Sequence, residues 1–306
     1  MASKEEILSE WRGISSRELA AISRRTIEDR DSDETASGAF YYRGGREEFE
    51  IGAEYCRSAD PLDRCTGAFL LEHLGYDNGN LPFAAESIAV ILPLLDDEDE
   101  RVIQAGVWAL GRIGENSMVH QILRFDAHPN EDIRYSATFA LSAMTDAGPE
   151  VTESLLRLAK DPDRDIRDWA TFALGSQSEE DSTEIRQILF EALSDEDGEI
   201  RGEGYAGLAA REDSRAVEWV LRTFHDSTLE VHSLEEWRER FDPQANMIEA
   251  MIEFPDHRLV PFLEKLQQSL GDDFLPWFRE DIEKALQVCG EAPEGATTFP
   301  RRESML

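Results

Sequence analysis

One helical pattern recurs along most of this 306-residue chain, and its repetition limits the possible folds more than any other feature. The clearest copy runs from Asp163 to Gly175, and we number its positions from Arg167, which is position 0. Position 0 of the five copies falls on Arg64, Ile103, Arg134, Arg167 and Arg201. A helical pattern that recurs every 30 to 40 residues or so is typical of an α-solenoid.

Each position of this register carries one kind of side chain. Position −4 holds an Asp or Asn, which predicts a helix N-cap. Position +3 is small, and position +7 is Leu71, Leu110, Leu141, Leu174 or Leu208. With the apolar position −1 they form one stripe along the second helix of a helix pair. Arg at position 0 can bind an Asp of its own or the neighbouring turn, which predicts a structural ladder of Asp60, Arg64, Asp99, Asn130, Arg134, Asp163, Arg167, Asp197 and Arg201.

The pattern predicts an all-α fold, an α-solenoid of about six to seven helix pairs with an N-terminal capping helix. Residues 1–45 should form the capping helix, over residues 4–29, and a linker that includes residues 29–38. Residues 46–289 should form the solenoid. Residues 290–306 contain two prolines and two glycines and are expected to be a disordered tail. The best-defined second helices are expected at 100–113, 131–144, 164–175 and 198–210.

The chain carries 65 acidic and 31 basic residues, a formal net charge of −34. Such a charge argues against nucleic acid or an anionic membrane as the partner, because both are polyanions. It favours another protein with a basic surface, although adaptation to a salty cytoplasm explains it equally well. The charged N-terminus, the short apolar runs and three widely spaced cysteines lead us to expect a cytoplasmic protein without disulfides.

No motif in the chain predicts chemistry. Residues 202–207 match the Gly-x-Gly-x-x-Gly dinucleotide fingerprint, but they fall inside a predicted helix, whereas that fingerprint needs a strand followed by a loop. Cys56, Cys65 and His73 lack the spacing of a metal site. We therefore expect no cofactor, no metal, no catalytic residue and no enzymatic activity.

The pattern Asp-x-x-x-(Val/Ile)-Arg-x-x-Ala-x-x-Ala-Leu-Gly, present almost whole at residues 163–175, resembles that of bacterial HEAT-repeat proteins of the phycobilisome-lyase type. The resemblance is good over residues 46–211 and loose elsewhere. It implies a right-handed superhelix with second helices on the concave side. Relatives include scaffolds, adaptors, chromophore-lyase subunits and proteins that look like immunity proteins of Rhs-type toxins. Departures from the pattern are Ile103 at position 0, Asp63 at the apolar position −1, and glycines in the fifth repeat.

Position +5 varies in that family and should face the concave groove. Here it holds aromatic side chains, which with their neighbours at +1 and +2 suggest a partner-binding strip of Phe69, Trp108, Tyr135, Phe139, Asp168, Trp169 and Phe172. Two interpretations stay open: the aromatic residues pack between second helices, or they grip a partner helix or loop that carries Arg or Lys.

The sequence thus predicts a non-catalytic protein-binding scaffold or adaptor that uses its groove and an acidic edge formed by residues 96–100, 161–165 and 195–199. Two alternatives remain. One is an immunity-type inhibitor whose acidic face covers a basic, nuclease-like toxin. The other is a chromophore lyase or isomerase subunit, which would need a chromophore pocket in the groove.

Overall fold

The computed structural model describes residues 3–29, 35–76, 80–225, 245–269 and 276–293. These residues form seventeen α-helices, joined by short 3₁₀ turns, and contain no β-strand. They belong to two compact units, Met1–Ala147 (unit 1) and Gly148–Leu306 (unit 2). The predicted all-α class is confirmed.

Unit 1 begins with three helices instead of one: α1 (Lys4–Glu10), α2 (Ser16–Asp29) and α3 (Thr35–Arg43). The single helix predicted for residues 4–29 is wrong, because Ser15 accepts a bond from the Glu18 N–H while Glu18 binds back to Ser15, and this capping box starts a new helix. The linker predicted for residues 29–38 is wrong from Thr35 onward. Helix α3 has a buried face that includes Ala36, Ala39 and Phe40.

Three helix pairs follow in unit 1. The first helices are α4 (Arg46–Cys56), α6 (Ala84–Ile91) and α8 (Val119–Ile122), and the second helices are α5 (Pro61–Leu71), α7 (Glu100–Ile113) and α9 (Glu131–Ser142). Each first helix packs against its own second helix, and α7 packs between α5 and α9. The second helices therefore form one layer of the unit, and we call its outer surface the second-helix face.

Unit 2 contains three more pairs in the same arrangement, α10 (Pro149–Leu158) with α11 (Arg164–Phe172), α12 (Thr183–Ala192) with α13 (Gly198–Ala210), and, after α14 (Arg215–His225) and α15 (Ala245–Glu253), α16 (Val260–Ser269) with α17 (Pro276–Glu291). Helix α14 packs against α13, and α15 packs against α13 and α17. Here α11, α13, α15 and α17 form the second-helix layer. Six packed pairs among the described residues agree with the six to seven predicted. Most of the predicted tail lies outside the described residues, and α17 extends two residues into that tail.

Burial follows the register. The side chains at positions +3, +6 and +7 are buried in all five aligned copies, and the leucines at +7 are at most 1% exposed. Asp60, Asp99, Asn130, Asp163 and Asp197 each cap a second helix by accepting a backbone N–H of its first turn. The apolar stripe and the N-caps inferred from the sequence are therefore both present.

Arginine at position 0 makes two kinds of bond. Nη1 donates to the carbonyls at positions −6 and −5 of its own turn; for Arg64 these are Ser58 and Ala59, both at 3.0 Å. Arg134, Arg167 and Arg201 bind the same two carbonyls. Nε and Nη2 of Arg64 then bind both carboxylate oxygens of Asp97, at 2.7 and 2.8 Å. Arg64 thus ties its own turn to the turn of the next repeat.

Arg167 repeats this arrangement in unit 2, where it binds both oxygens of Asp195. Asp97 and Asp195 lie at position −6, whereas the predicted ladder named the Asp at −4. The carboxylate at −6 also accepts the backbone N–H of position −4, so it closes the turn and binds the arginine at once. The side chain at −4 serves as the N-cap, and Asp60 and Asp197 also bind arginines from outside position 0, namely Arg24 and Arg164.

Asp63, which stands where the repeat needs an apolar residue, has a partner from outside the repeats. Arg24 of α2 donates Nε to Asp63 at 2.5 Å and Nη2 to Asp60 at 2.8 Å. The Ser58 hydroxyl donates to the other Asp63 oxygen at 2.7 Å. Helix α2 therefore supplies the first repeat with the arginine that a preceding repeat would supply.

The ladder is interrupted once within unit 1. Position 0 of the second repeat is Ile103, and the position −6 that its arginine would bind, in the third repeat, is His128 instead of Asp. His128 Nδ1 still accepts the Asn130 N–H at 3.2 Å, so the turn remains closed. At this point of the ladder the arginine and its aspartate are both replaced, so neither of them is left without the other.

In unit 2 a second, unpredicted arginine holds the end of a helix. The last turn of α11 continues as a π-helical segment, Ala173–Gln177, whose wider turn leaves carbonyls without their usual donors. Arg211, whose side chain is 6% exposed, donates to the carbonyls of Leu174, Gly175, Ser178, Glu180 and Gly207. Its five N–H groups suit this number of acceptors.

We expect Arg64→Met to destabilise unit 1 by about 2 to 3 kcal/mol, because it leaves a half-buried carboxylate and two turn carbonyls without donors. The side chains of Arg64 and Asp97 are only 17% and 12% exposed. Urea unfolding followed by circular dichroism measures the change. Arg101→Met is the matched control: its pair with Asp99 is formed by an arginine 72% exposed, and little loss is expected. Equal losses in the two variants would contradict the proposed role of the ladder.

The interruption can be repaired. We expect Ile103→Arg and His128→Asp to be individually neutral or destabilising, and the double variant to exceed their sum by about 1 kcal/mol, because the two substitutions recreate the bidentate pair. A double-mutant cycle of urea-unfolding free energies tests this. Strict additivity would show that the two positions do not meet as Arg64 and Asp97 do.

Candidate functional site

Position +5 of the register differs from the columns beside it. All five of its side chains are half-buried, whereas positions +3, +4, +6 and +7 are buried throughout. Its members are Phe69, Trp108, Phe139, Phe172 and Ala206. Large aromatic side chains that keep an accessible surface on neighbouring helices form the candidate site in each unit.

In unit 1 these rings pack on one another. Trp108 of α7 stacks on Phe139 of α9 with ring centres 4.1 Å apart and planes 15° apart, and it lies nearly parallel to Tyr135 at 6.2 Å. The rings thus pack between second helices, and each also keeps an accessible part. Binding of a partner helix or loop by these rings stays a prediction.

A second set of unit 1 residues lies beside this stack and was not identified from the sequence. Tyr41 of α3 meets Phe69 edge-on at 5.8 Å and donates its hydroxyl to the Phe69 carbonyl at 2.8 Å. His73 lies edge-on to Tyr41 and to Tyr76, and the latter is 50% exposed. Tyr41 belongs to a stretch that read as the end of the linker, so its sequence neighbourhood carried no signal. His73 could have been found, since position +9 lies one turn beyond +5.

In unit 2 the site is smaller and more acidic. Trp169 and Phe172 of α11 meet edge-on with ring centres 5.7 Å apart, and both are half-buried. Asp168 stands next to Trp169. Burial, with the charge of Glu199 on α13 adding to it, raises the pKa of Asp168 to about 6, although Arg164 opposes the change. The site therefore holds a carboxylate that is partly desolvated and costly to ionise.

The predicted acidic edge is largely occupied by arginines of the same chain. Asp96 binds Arg124, and Asp97 and Asp195 belong to the ladder. A single arginine, Arg164, binds three acids, Asp165, Asp197 and Glu199. Much of the acidic surface thus has a structural partner, and the charge available to another protein is smaller than the sequence indicated.

The glycines of the dinucleotide-like motif lie within α13, as expected, and serve close packing. A Cβ on Gly207 would lie 2.6 Å from the Cα of Gly175, and one on Gly204 would lie 2.7 Å from the Leu189 carbonyl oxygen. Over the parts of the chain that the structure describes, no three His, Cys, Asp or Glu residues are placed to hold a metal ion. None of the helices described there combines the length and apolar character needed to span a bilayer.

Comparison with known proteins agrees with this architecture. The family model for HEAT repeats matches residues 88–175 and 152–234. Protein YibA of Escherichia coli strain K12 is 27% identical over 261 residues, which cover 81% of this chain and 85% of YibA, and YibA of strain O157:H7 gives the same values. The crystal structure of E. coli YibA superposes with a TM-score of 0.66 at 20% identity, over 95% of this chain and 98% of that one.

The two matches together span residues 88–234, and over these residues the chain resembles HEAT repeats, in agreement with the resemblance inferred from the sequence. The structural likeness at 20% identity concerns the fold alone. The narrower lyase-type part stays a prediction.

Asp168 generates a prediction of pH dependence. Its pKa of about 6 in the folded chain lies above the ordinary 3.8. Ionisation of Asp168 therefore lowers the free energy of unfolding by its full amount above pH 6, and this loss disappears as the pH falls from about 6 to 4. Asp168→Asn should therefore be more stable than the wild type at pH 7.5, and the two should converge near pH 4. Urea unfolding at a series of pH values measures the difference. A difference that does not vary with pH would contradict the raised pKa.

Proposed function

We propose that this chain, which matches the HEAT-repeat family model over residues 88–175 and 152–234 and is similar to YibA, is a non-catalytic HEAT-repeat scaffold that binds another protein through its second-helix faces. Position +5 carries the proposal, because its aromatic side chains keep accessible surface where the neighbouring columns are buried. Rings held on rigid helices contribute large contact area at a small entropy cost, and aromatic residues of this kind often dominate binding energy.

The chemistry of unit 2 supports a basic partner. Asp168, Trp169 and Phe172 place a desolvated carboxylate beside two rings, and a Lys or Arg side chain could bind the carboxylate while resting on a ring face. The net charge of −34 would attract such a partner at long range. Asp97 and Asp195 of the acidic edge already bind ladder arginines, so we assign recognition of the partner mainly to the second-helix face.

Of the two narrower functions, an immunity-type inhibitor of a basic toxin accords with this acidic, aromatic face. A toxin gene beside the gene for this chain would support it. The chromophore lyase alternative would be supported by neighbouring genes for bilin-binding proteins, and no described residue of the face is assigned a catalytic role.

The proposal is tested by two single variants, Trp108→Ala and Phe172→Ala, one in each unit. A partner is first isolated with the full chain as bait and purified, and its affinity for each variant is then measured by calorimetry. We expect at least one variant to weaken binding by about tenfold or more, with the helical content retained, because truncation removes an aromatic contact worth about 1.4 kcal/mol or more.

Phe190→Ala is the matched control, since Phe190 is 36% exposed on the first helix α12 and lies outside the second-helix face. Its affinity should be unchanged. The association rate of the wild type should also fall as salt is added, because the attraction is screened. Unchanged affinity in both aromatic variants, or loss of fold in each, would count against the proposal.

A further inference from the structure

A cationic side chain stands within the aromatic face of unit 1. Arg112 lies at position +9 of α7, one turn beyond Trp108, and its side chain is exposed. Its Nη2 lies 2.9 Å from His73 Nε2 of the neighbouring repeat, and its guanidinium carbon lies 5.9 Å from the centre of the Phe139 ring. The guanidinium is therefore placed between two repeats, at the border of the stacked rings.

Arg112 is bound differently from the arginines of the ladder. Arg24, Arg64 and Arg167 each bind carboxylates at 3.2 Å or less. Among the residues that the structure describes, Arg112 forms no ion pair with a carboxylate, although the chain contains 65 acidic residues. Its nearest hydrogen-bonding group is the His73 imidazole, and the guanidinium carries five N–H donors.

The imidazole is itself held in place. Glu72 Oε1 lies 3.6 Å from His73 Nδ1, and Arg112 Nη2 lies 3.5 Å from the same nitrogen. The edge-on contacts of His73 to Tyr41 and Tyr76 hold the ring in its orientation beside Arg112. The donors that remain on Arg112 are thus presented from a preorganised position.

We propose that Arg112, positioned by His73, is the subsite for an Asp or Glu side chain of the protein partner, beside an aromatic partner residue that rests on Trp108 and Phe139. The inference builds on the proposed function. A planar guanidinium with free donors binds a carboxylate through two parallel hydrogen bonds, a geometry that Lys cannot reproduce. The surrounding rings shield such a pair from water and strengthen it.

This subsite has the opposite sign to the acidic site of unit 2. The field of a chain with net charge −34 repels acidic groups, so a partner carboxylate is tolerated only where a local cation offsets that repulsion. Subsites of different sign contribute specificity in addition to affinity.

The test uses a display library of short random peptides panned on the immobilised full chain. We expect selected peptides that require Trp108 to carry Asp or Glu near an aromatic residue, and Arg112→Glu to weaken them by about tenfold or more, as for loss of a charge-assisted pair. Arg112→Lys should recover part of the affinity. A selected peptide with its acidic residue changed to Lys should bind Arg112→Glu better than the wild type.

Arg12→Glu is the matched control, because it makes the same change of charge at an exposed position of unit 1 away from the aromatic face. It should leave binding within about twofold. Circular dichroism confirms that each variant is folded. Peptides that need Trp108 or Phe172 but bind Arg112→Glu as well as the wild type would overturn this inference and leave the proposed function standing. A library that yields no peptide sensitive to Arg112 would also overturn it.

Discussion

A guanidinium that binds two carbonyls of its own turn and a carboxylate of the next is the interaction on which the packing of successive turns depends. Arg64 and Arg167 make it in full, and α2 makes its counterpart through Arg24. Small residues and leucines bring the helices together, but apolar contacts have little direction. The bidentate pair adds direction and so sets the offset between one turn and the next.

The positions that hold the turns and those that form the core leave one surface of each second helix accessible. Positions −6, −4 and 0 hold the turns, and −1, +3, +4, +6 and +7 are largely buried, so +5 and +9 remain to vary. In unit 1 they carry Trp108, Phe139, His73 and Arg112, and in unit 2 Phe172 lies beside Asp168 and Trp169. The two faces use the same positions of the register and differ in charge.

The fold could be predicted because its determinants are local and repeated. N-caps, the small residues at +3 and the leucines at +7 occur at set distances along the chain, and errors at one copy are corrected by the others. The errors lie where no repeat guides the interpretation. Residues 4–43 form three helices because a capping box at Ser15 and Glu18 interrupts the first one, and because the apolar side of α3 is buried by tertiary contacts. Arg211 was missed because its acceptors are carbonyls, which leave no trace in a pattern of side chains.

The sequence by itself determined that the chain is all-α and built from repeated helix pairs, since this follows from periodicity, and the family resemblance indicated position +5 as the column that keeps accessible side chains. The tertiary structure decided which acid each arginine binds and how many carboxylates of the acidic edge bind arginines of the same chain. It also decided that Tyr41, His73 and Arg112 join the aromatic face. These outcomes depend on distances between residues of different repeats and of α3. Helical periodicity specifies the face on which a side chain lies, whereas its partner across a helix boundary is set by the packing of whole helices.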